Sequence, residues 1–551
     1  MNGATWLVRA LQRWGVPRLY LLCGNGLRPL MDACLAERLP MVDVRNEQSA
    51  AYMADVEARL TRRLAVVATS AGPGHTNAIT GLANSFWDGA PVLHLAGMSA
   101  AATRGRGHFQ ELPQVEMVAP ICKYARAVMR PEWLPTAASE AVAAAIHGRP
   151  GPVHLSLPAD VLTAPCAAPL PPERPAKVAP CQPPDDALVH EAAEWLDRAE
   201  RPVVIAGTGC FYADAGEALH VLVATADVPV FTPLWDRGVV ATAWRQYAGP
   251  TSSEVNGAAR CIAEADLIVT VGARVDYRLG YGEPPTVAAD ARWLRIDADP
   301  HEVNRYRPAD LALVADPRSA LDRLQDFYVR RQGRRHTAWL DRVRSARQEY
   351  LDRWEKRGRG DRFPLPSLQL VRALQPFLDR EVTFLLDGGN IGRWAHQQLW
   401  NRHPEHWLTC GASGVVGWGL PGAVAAKLCR PDHPVLLLSG DGSAGFTLAE
   451  IETAIRFGTP YVAVVADDQA WGIEADARPE PERGGTLLGG IRFDRVAEAL
   501  GARGVAIERG EPLGPAIEGA LNRDEVTFIH VPVELGGIAY YERHLLPADT
   551  A

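Results

Sequence analysis

The stretch Pro434–Trp471, PVLLLSGDGSAGFTLAEIETAIRFGTPYVAVVADDQAW, constrains the chain more than any other. Val435 to Leu438 is an apolar run, a glycine turn follows around Asp441, Leu448 to Phe457 repeats apolar residues at helical spacing, and Tyr461 to Ala466 is apolar again. This pattern predicts a βαβ unit, whose strands are parallel and end on the same sheet edge. Asp441 and Asp468 then come out side by side where open α/β sheets bind ligands. Gly440, Gly442 and Ser443 leave backbone N–H groups free at a helix start, where the dipole favours phosphate. Carboxylates next to phosphate-binding amides call for a divalent cation between them.

The same alternation runs through the whole chain, and 551 residues are too many for one core. The expected fold class is α/β, with three doubly wound parallel-sheet domains. In residues 1–163 strands are predicted at 19–22, 41–44, 64–68, 91–95 and 153–157, with a helix over 48–60. Residues 164–185 carry prolines 165, 169, 171, 172, 175, 180, 183 and 184 and read as an extended linker. A second α/β segment occupies 186–330, a charged, solvated connecting helix and a breaking loop 331–366, and the third domain with its C-terminal tail 367–551. The first and third domains are alike in length and alternation.

A net charge of −8 leaves no basic stripe for nucleic acid. The nine cysteines are scattered and free of C-x-x-C spacing, which disfavours disulfides and zinc and suits a reduced cytoplasm. No apolar run reaches bilayer length, and the N-terminal pattern Trp6 to Trp14 is too interrupted by Arg9, Gln12 and Arg13 for a signal peptide.

Gly440-Asp441-Gly442, followed after 27 residues by the Asp467-Asp468 pair, resembles the signature of the thiamine-diphosphate enzymes. The resemblance implies thiamine diphosphate and Mg²⁺, with Ca²⁺ or Mn²⁺ as alternatives. The metal would be held by Asp441, Asp468 and the Ala470 carbonyl. Gly440, Gly442, Ser443 and the following Trp471, Gly472 and Ile473 would complete that side of the cofactor. Asp387-Gly-Gly-Asn-Ile391 resembles the second diphosphate loop, giving Gly389, Asn390 and Ile391. Gly411 to Pro421 resembles the segment that grips the aminopyrimidine, with the Gly414 carbonyl on the ring's amino group and Val416 under the bend.

In the first domain, Val44-Arg-Asn-Glu47 resembles the catalytic-glutamate segment, Thr69 to Asn77 the TSGPG-x-x-N loop, and His108-Phe-Gln-Glu111 the FQE loop. By this resemblance Glu47 bonds the pyrimidine N1′, while Phe109 and Gln110 contact a small carbonyl substrate. A homo-oligomer, dimer or tetramer, with the site at a subunit interface is implied as well. The activity implied is that of an acetolactate-synthase-like lyase or carboligase making or breaking a carbon–carbon bond next to a carbonyl. 2-Hydroxyacyl-CoA lyase, oxalyl-CoA decarboxylase and benzaldehyde lyase are related alternatives, and a non-catalytic regulatory homologue is the alternative of another class.

The chain departs from these relatives at Gly26, Ala159 and Ala477, small residues that predict a roomy pocket. In the middle segment Gly207-Thr-Gly209 is followed by Tyr212 where a dinucleotide fingerprint needs glycine, so FAD or ADP is disfavoured there.

Overall fold

A computed structural model of the chain describes residues 1–178, 182–236, 239–241, 243–355, 362–399, 403–478, 482–510 and 512–538. Cys181, residues 356–361 around the expected breaking loop, and the tail from 539 lie outside the described residues.

Three six-stranded sheets, all of parallel pairs, follow one another along the chain. The first contains β1 (Leu19–Leu21), β2 (Met41–Asp43), β3 (Ala65–Thr69), β4 (Val92–Met98), β5 (Ala125–Ala127) and β6 (Val153–Pro158), in the order β2-β1-β3-β4-β6-β5. The second contains β7 (Pro202–Ala206), β8 (Val230–Thr232), β9 (Tyr247–Pro250), β10 (Leu267–Val271), β11 (Arg292–Asp297) and β12 (Leu311–Val314), in the order β12-β11-β10-β7-β8-β9. The third contains β13 (Thr383–Asp387), β14 (Trp407–Thr409), β15 (Val435–Gly440), β16 (Val462–Asp467), β17 (Arg503–Ala506) and β18 (Thr527–Pro532), in the order β14-β13-β15-β16-β18-β17. The central strands are buried along their whole length, as their uninterrupted Val, Leu and Ile content requires in a sheet covered on both faces.

The first and third sheets meet through helices. Glu47–Thr61, capped by Asn46 Oδ1 on the Gln48 N–H at 2.8 Å, packs against Pro73–Asp88 and against Gly419–Cys429 of the third sheet. Small residues such as Ala50, Ala51, Ala54, Ala423 and Ala426 let these helices approach closely. Inside this contact Asp55 accepts from Asn84 Nδ2 at 3.1 Å, Ser85 Oγ at 3.1 Å, Trp418 Nε1 at 3.0 Å and Arg59 at 3.2 Å. Arg59 also faces Asp88 at 3.4 Å, so the buried charges are mutually paired.

The charged helix spans Thr337–Glu355 and is packed rather than solvated: Trp339, Leu340, Val343, Tyr350 and Trp354 are buried, and Trp354 meets Trp394 edge-on at 5.3 Å. Among the described residues no helix is long and apolar enough to cross a membrane.

Candidate functional site

Strands β13, β15 and β16 are neighbours, with Asp387 opposite Ser439 and Gly440 opposite Ala466. Their C-terminal ends therefore share one edge, and each leads into a turn at the start of a helix. After β13, Gly388 adopts φ 116°, and a Cβ there would stand 2.8 Å from the Gly440 nitrogen. The helix Gly389–Gln398 begins immediately. After β15 comes the helical turn Asp441–Gly445, and after β16 come Asp468, Ala470 and the turn Gly472–Asp476.

These loops surround a cavity of about 320 Å³ whose wall includes Gly389, Asn390, Ile391, Gly414, Val416, Gly440, Asp441, Gly442, Ser443, Asp468, Ala470, Trp471, Gly472 and Ile473. Every residue expected on the diphosphate and metal side, together with Gly414 and Val416, thus faces one space. Trp235 and Tyr277 of the second domain also line it; Tyr277 belongs to the stretch Gly272–Arg278, which resembles acetolactate synthase, whereas nothing in the sequence marks Trp235.

Asp441 and Asp468 are held close together and out of water. Burial first, and the Asp468 charge second, push the Asp441 carboxyl up to about 8. Burial likewise pushes Asp468 up to about 6, against the pull of the Asn390 and Ala470 hydrogen bonds. Asn390 Nδ2 donates to Asp468 Oδ2 at 3.1 Å and the Ala470 N–H donates to Oδ1 at 3.2 Å, so the carboxylate is oriented from both sides. Gly472 packs on it, since a Cβ there would strike Asp468 Oδ2 and Asn390. Asp467, the extra acid of the pair, has partners of its own: Gln469 N–H donates to Oδ1 at 3.2 Å, and His530 Nε2 lies 3.3 Å from Oδ2. His530 Nδ1 accepts from the Phe493 N–H, which leaves the proton on Nε2. Crowded buried carboxylates with hard oxygen atoms are the donor set of a Mg²⁺-type ion.

The segment from Gly411 to Gly417 is anchored by other parts of the chain. Ala412 N–H donates to Asp88 Oδ1 at 3.3 Å, Tyr277 Oη donates to the Ala412 carbonyl at 3.0 Å, and Tyr52 Oη donates to the Val416 carbonyl at 3.3 Å. Gly414 has φ 71° and no atom near its Cβ position, so it presents open backbone to the cavity.

Glu47, Phe109 and Gln110 do not line this cavity. Glu47 opens its helix, is 6% exposed, and accepts from Asn77 Nδ2 at 2.9 Å, a partner the sequence offered only as the end of a loop. Gln110, at φ 62°, and Glu47 flank the loop of Gly72 and Gly74: Cβ atoms on these glycines would meet Gln110 Cβ at 2.9 Å and Glu47 Oε1 at 2.8 Å. Gln110 Oε1 is buried without a partner, and Phe109 is 72% exposed. Gly26 makes no room for substrate: its φ is 84°, and a Cβ would lie 2.8 Å from Gly97 Cα and the Met98 nitrogen.

A second cavity, of about 360 Å³, is lined by Gly209, Gly272, Arg274, Arg278 and Asp297 of the second sheet and by Asp88 of the first. Arg278 pairs with Asp276 at 2.8 Å and Asp236 at 3.5 Å, and Arg274 with Glu302 at 3.2 Å. These guanidinium groups already have internal counter-charges.

Models of the thiamine pyrophosphate enzyme family match this chain in three places. The N-terminal TPP binding domain matches residues 1–117, the central domain 189–324, and the C-terminal TPP binding domain 387–531. The chain is 31% identical to the acetolactate synthase isozyme 2 large subunit of Escherichia coli over 97% of its own length and 96% of that protein. It is 31% identical to the acetolactate synthase large subunit IlvG of Mycobacterium tuberculosis, covering 94% and 93%. Oxalyl-CoA decarboxylase of Escherichia coli is 27% identical over 97% and 95%.

Proposed function

The chain belongs to the thiamine pyrophosphate enzymes, and from that premise we propose an acetolactate-synthase-like carboligase or lyase that acts on a 2-keto acid or the ketol derived from it. The observation that carries this reading is the convergence of Asp441, Asp468 and the Asn390 loop on one cavity at a parallel-sheet edge. Thiamine diphosphate bound there supplies the electron sink for a carbon–carbon bond made or broken beside a carbonyl.

The residues present fit that group. Asp441 and Asp468, with Ala470 beside them, are the metal ligands in this reading; a bound Mg²⁺ would offset the burial that raises both acids and the Asp468 charge that adds to it at Asp441. The amides that begin the Gly389 and Asp441 helical turns meet phosphate oxygens, and Val416 backs the cofactor. Glu47, fixed by Asn77, holds the proton exchanged with the aminopyrimidine, and Gln110 offers its free Oε1 to the substrate.

Glu47, Phe109 and Gln110 lie outside the cavity wall of their own chain, so we assign the complete site to two copies. One supplies the Glu47 loop and the other the metal edge, in a homodimer or a tetramer built from it. The division 1–163, 164–185, 186–330, 331–366 and 367–551 is the domain plan we adopt, because each of the three long parts holds one sheet. The eight cysteines among the described residues are unpaired, which supports a reducing, cytoplasmic setting.

The test is exchange of the cofactor's C2 proton followed by NMR in the protein with thiamine diphosphate and Mg²⁺. Acceleration over free cofactor that is lost in Glu47→Gln is the expected result; equal rates in both proteins would sink the assignment. A panel of 2-keto acids, 2-hydroxyacyl-CoAs and benzoin-type ketols then identifies the substrate class.

A further inference from the structure

His75, His94 and His154 form a group apart from both cavities. His94 in β4 and His154 in β6 are register partners, so their side chains leave the same face of the sheet. His75 lies in the first turn of the Pro73–Asp88 helix. All three are 0% exposed, and one ring nitrogen of each lies within 4.8 Å of the others.

The hydrogen bonds orient two of the rings. His94 Nε2 is 2.9 Å from Thr69 Oγ1 and His154 Nε2 is 2.8 Å from Ser156 Oγ. Hydroxyl partners at Nε2 leave the two Nδ1 atoms facing each other at 3.1 Å. That separation is close to the edge of a tetrahedron with metal–nitrogen bonds of about 2.0–2.1 Å, which is about 3.3 Å. Both nitrogens of His75 are buried and neither makes a well-formed hydrogen bond, the Gln114 backbone being the one polar neighbour that acts on the ring, an arrangement that is costly unless something accepts their lone pair or proton.

A chain of hydrogen bonds explains His94 and His154 but leaves His75 unused. An ion at the centre of the group uses all three, with outer hydroxyls holding the tautomers as they do in built metal sites. We propose that His75, His94 and His154 form a buried transition-metal site that takes one divalent ion of the zinc or cobalt class. The ligands are three neutral imidazoles, and a water fills the fourth position. Burial keeps these rings neutral, His75 at about 4 and the other two well below their ordinary value, so the ion does not compete with protons near neutral pH. The ion ties β4, β6 and the start of the Pro73–Asp88 helix together, and His75 directly follows Gly74, whose Cβ position faces Glu47.

The experiment uses the full chain, stripped with a chelator and titrated with Co²⁺ alone, without thiamine diphosphate or Mg²⁺. Expected are about one Co²⁺ bound per chain, visible ligand-field bands of tetrahedral type, and displacement by Zn²⁺. His75→Ala gives up only the contact with the Gln114 backbone and should keep its circular dichroism while losing at least about 10-fold in Co²⁺ affinity. His94→Gln should lose the bands as well. No bound Co²⁺ would overturn the proposal. So would binding that survives in folded His75→Ala, or binding that disappears instead in Asp441→Asn; the three rings would then be a hydrogen-bonded core.

Discussion

The first and third sheets have the same topology and opposite electrostatics. The strand order β2-β1-β3-β4-β6-β5 repeats as β14-β13-β15-β16-β18-β17, so β3 corresponds to β15 and β4 to β16. After both β3 and β15 the chain turns through glycine into a helix. The third sheet collects Asp441, Asp467 and Asp468 at that edge; the first has Glu47, bonded to Asn77, and Asp160, bonded to the Ala101 N–H, apart from each other among hydroxyls and amides. The helices that follow β2 and β14, Glu47–Thr61 and Gly419–Cys429, pack on each other. One architecture is thus used twice; in the function proposed above one edge takes the cation and the other handles the proton, and a few turn residues make the difference.

The sharpest way to break this comparison is to disable each edge in a separate chain. Glu47→Gln and Asp441→Asn should each lower turnover by about 10²–10⁴-fold. If two copies share each site, mixing and reassociating the two variants restores about a quarter of wild-type activity, because half of the dimers are mixed and each mixed dimer has one intact site. No recovery in a mixture shown by mass spectrometry to contain mixed dimers would place both edges in one chain's site.

Much of this contrast was legible in the sequence because the chemistry follows central strands. Runs such as Leu267–Val271 and Val435–Leu438 are buried on both faces and carry a continuous apolar signal. The pattern missed the sheet edges β5, β9, β12, β14 and β17, which at three or four residues are too short to show a period, and also the central six-residue strand β18. The helix predicted over Leu448–Phe457 is found as Glu450–Arg456, and the glycine turn before it forms a separate helical turn, Asp441–Gly445. There Thr447 Oγ1 turns to the Gly417 carbonyl at 2.9 Å, a tertiary contact that local spacing cannot reveal. Gly26 read as space for substrate, but it is a close backbone contact. The three histidines were invisible because each sits alone in a different element, where a lone histidine reads as core.

A smaller effect sharpens the electrostatic half of the comparison. In the metal-free protein Asp441 has its ordinary value of 3.8 when unfolded and about 8 when folded. Between these pH values the native state binds the extra proton, so stability is fullest below about pH 4 and falls as pH rises through 8. Asp441→Asn should flatten that profile and raise metal-free stability at pH 9 by on the order of 1–4 kcal/mol. Saturating Mg²⁺ should reverse the order of the two proteins. Thermal melts across pH with and without Mg²⁺ check this, and parallel profiles would show that the carboxylates are not in conflict.

At the same edge, Asn390→Ala removes the donor that orients Asp468. The metal midpoint should weaken by about 10-fold, while the unfolding midpoint without metal changes little. An unchanged Mg²⁺ titration would mean that the Ala470 N–H alone fixes the carboxylate.

The smallest expected effect tests how the two regions are joined. Tyr52 lies on the helix that Glu47 begins; its hydroxyl accepts from Gln48 Nε2 at 2.8 Å and donates to the Val416 carbonyl at 3.3 Å. It is fully buried, so Tyr52→Phe removes both hydrogen bonds without opening a cavity and takes this partner from Gln48 Nε2 and from the Val416 carbonyl. A loss of about 0.5–1.5 kcal/mol in urea unfolding is expected, with an unchanged m-value. If Val416 backs the cofactor, loosening its carbonyl should also raise the half-saturating concentration of thiamine diphosphate while the Mg²⁺ midpoint stays put, since Asp441 and Asp468 keep their own supports. A shift in both titrations together would mean that the Glu47 helix positions the metal edge as well, and that the two edges of this fold are not energetically separate.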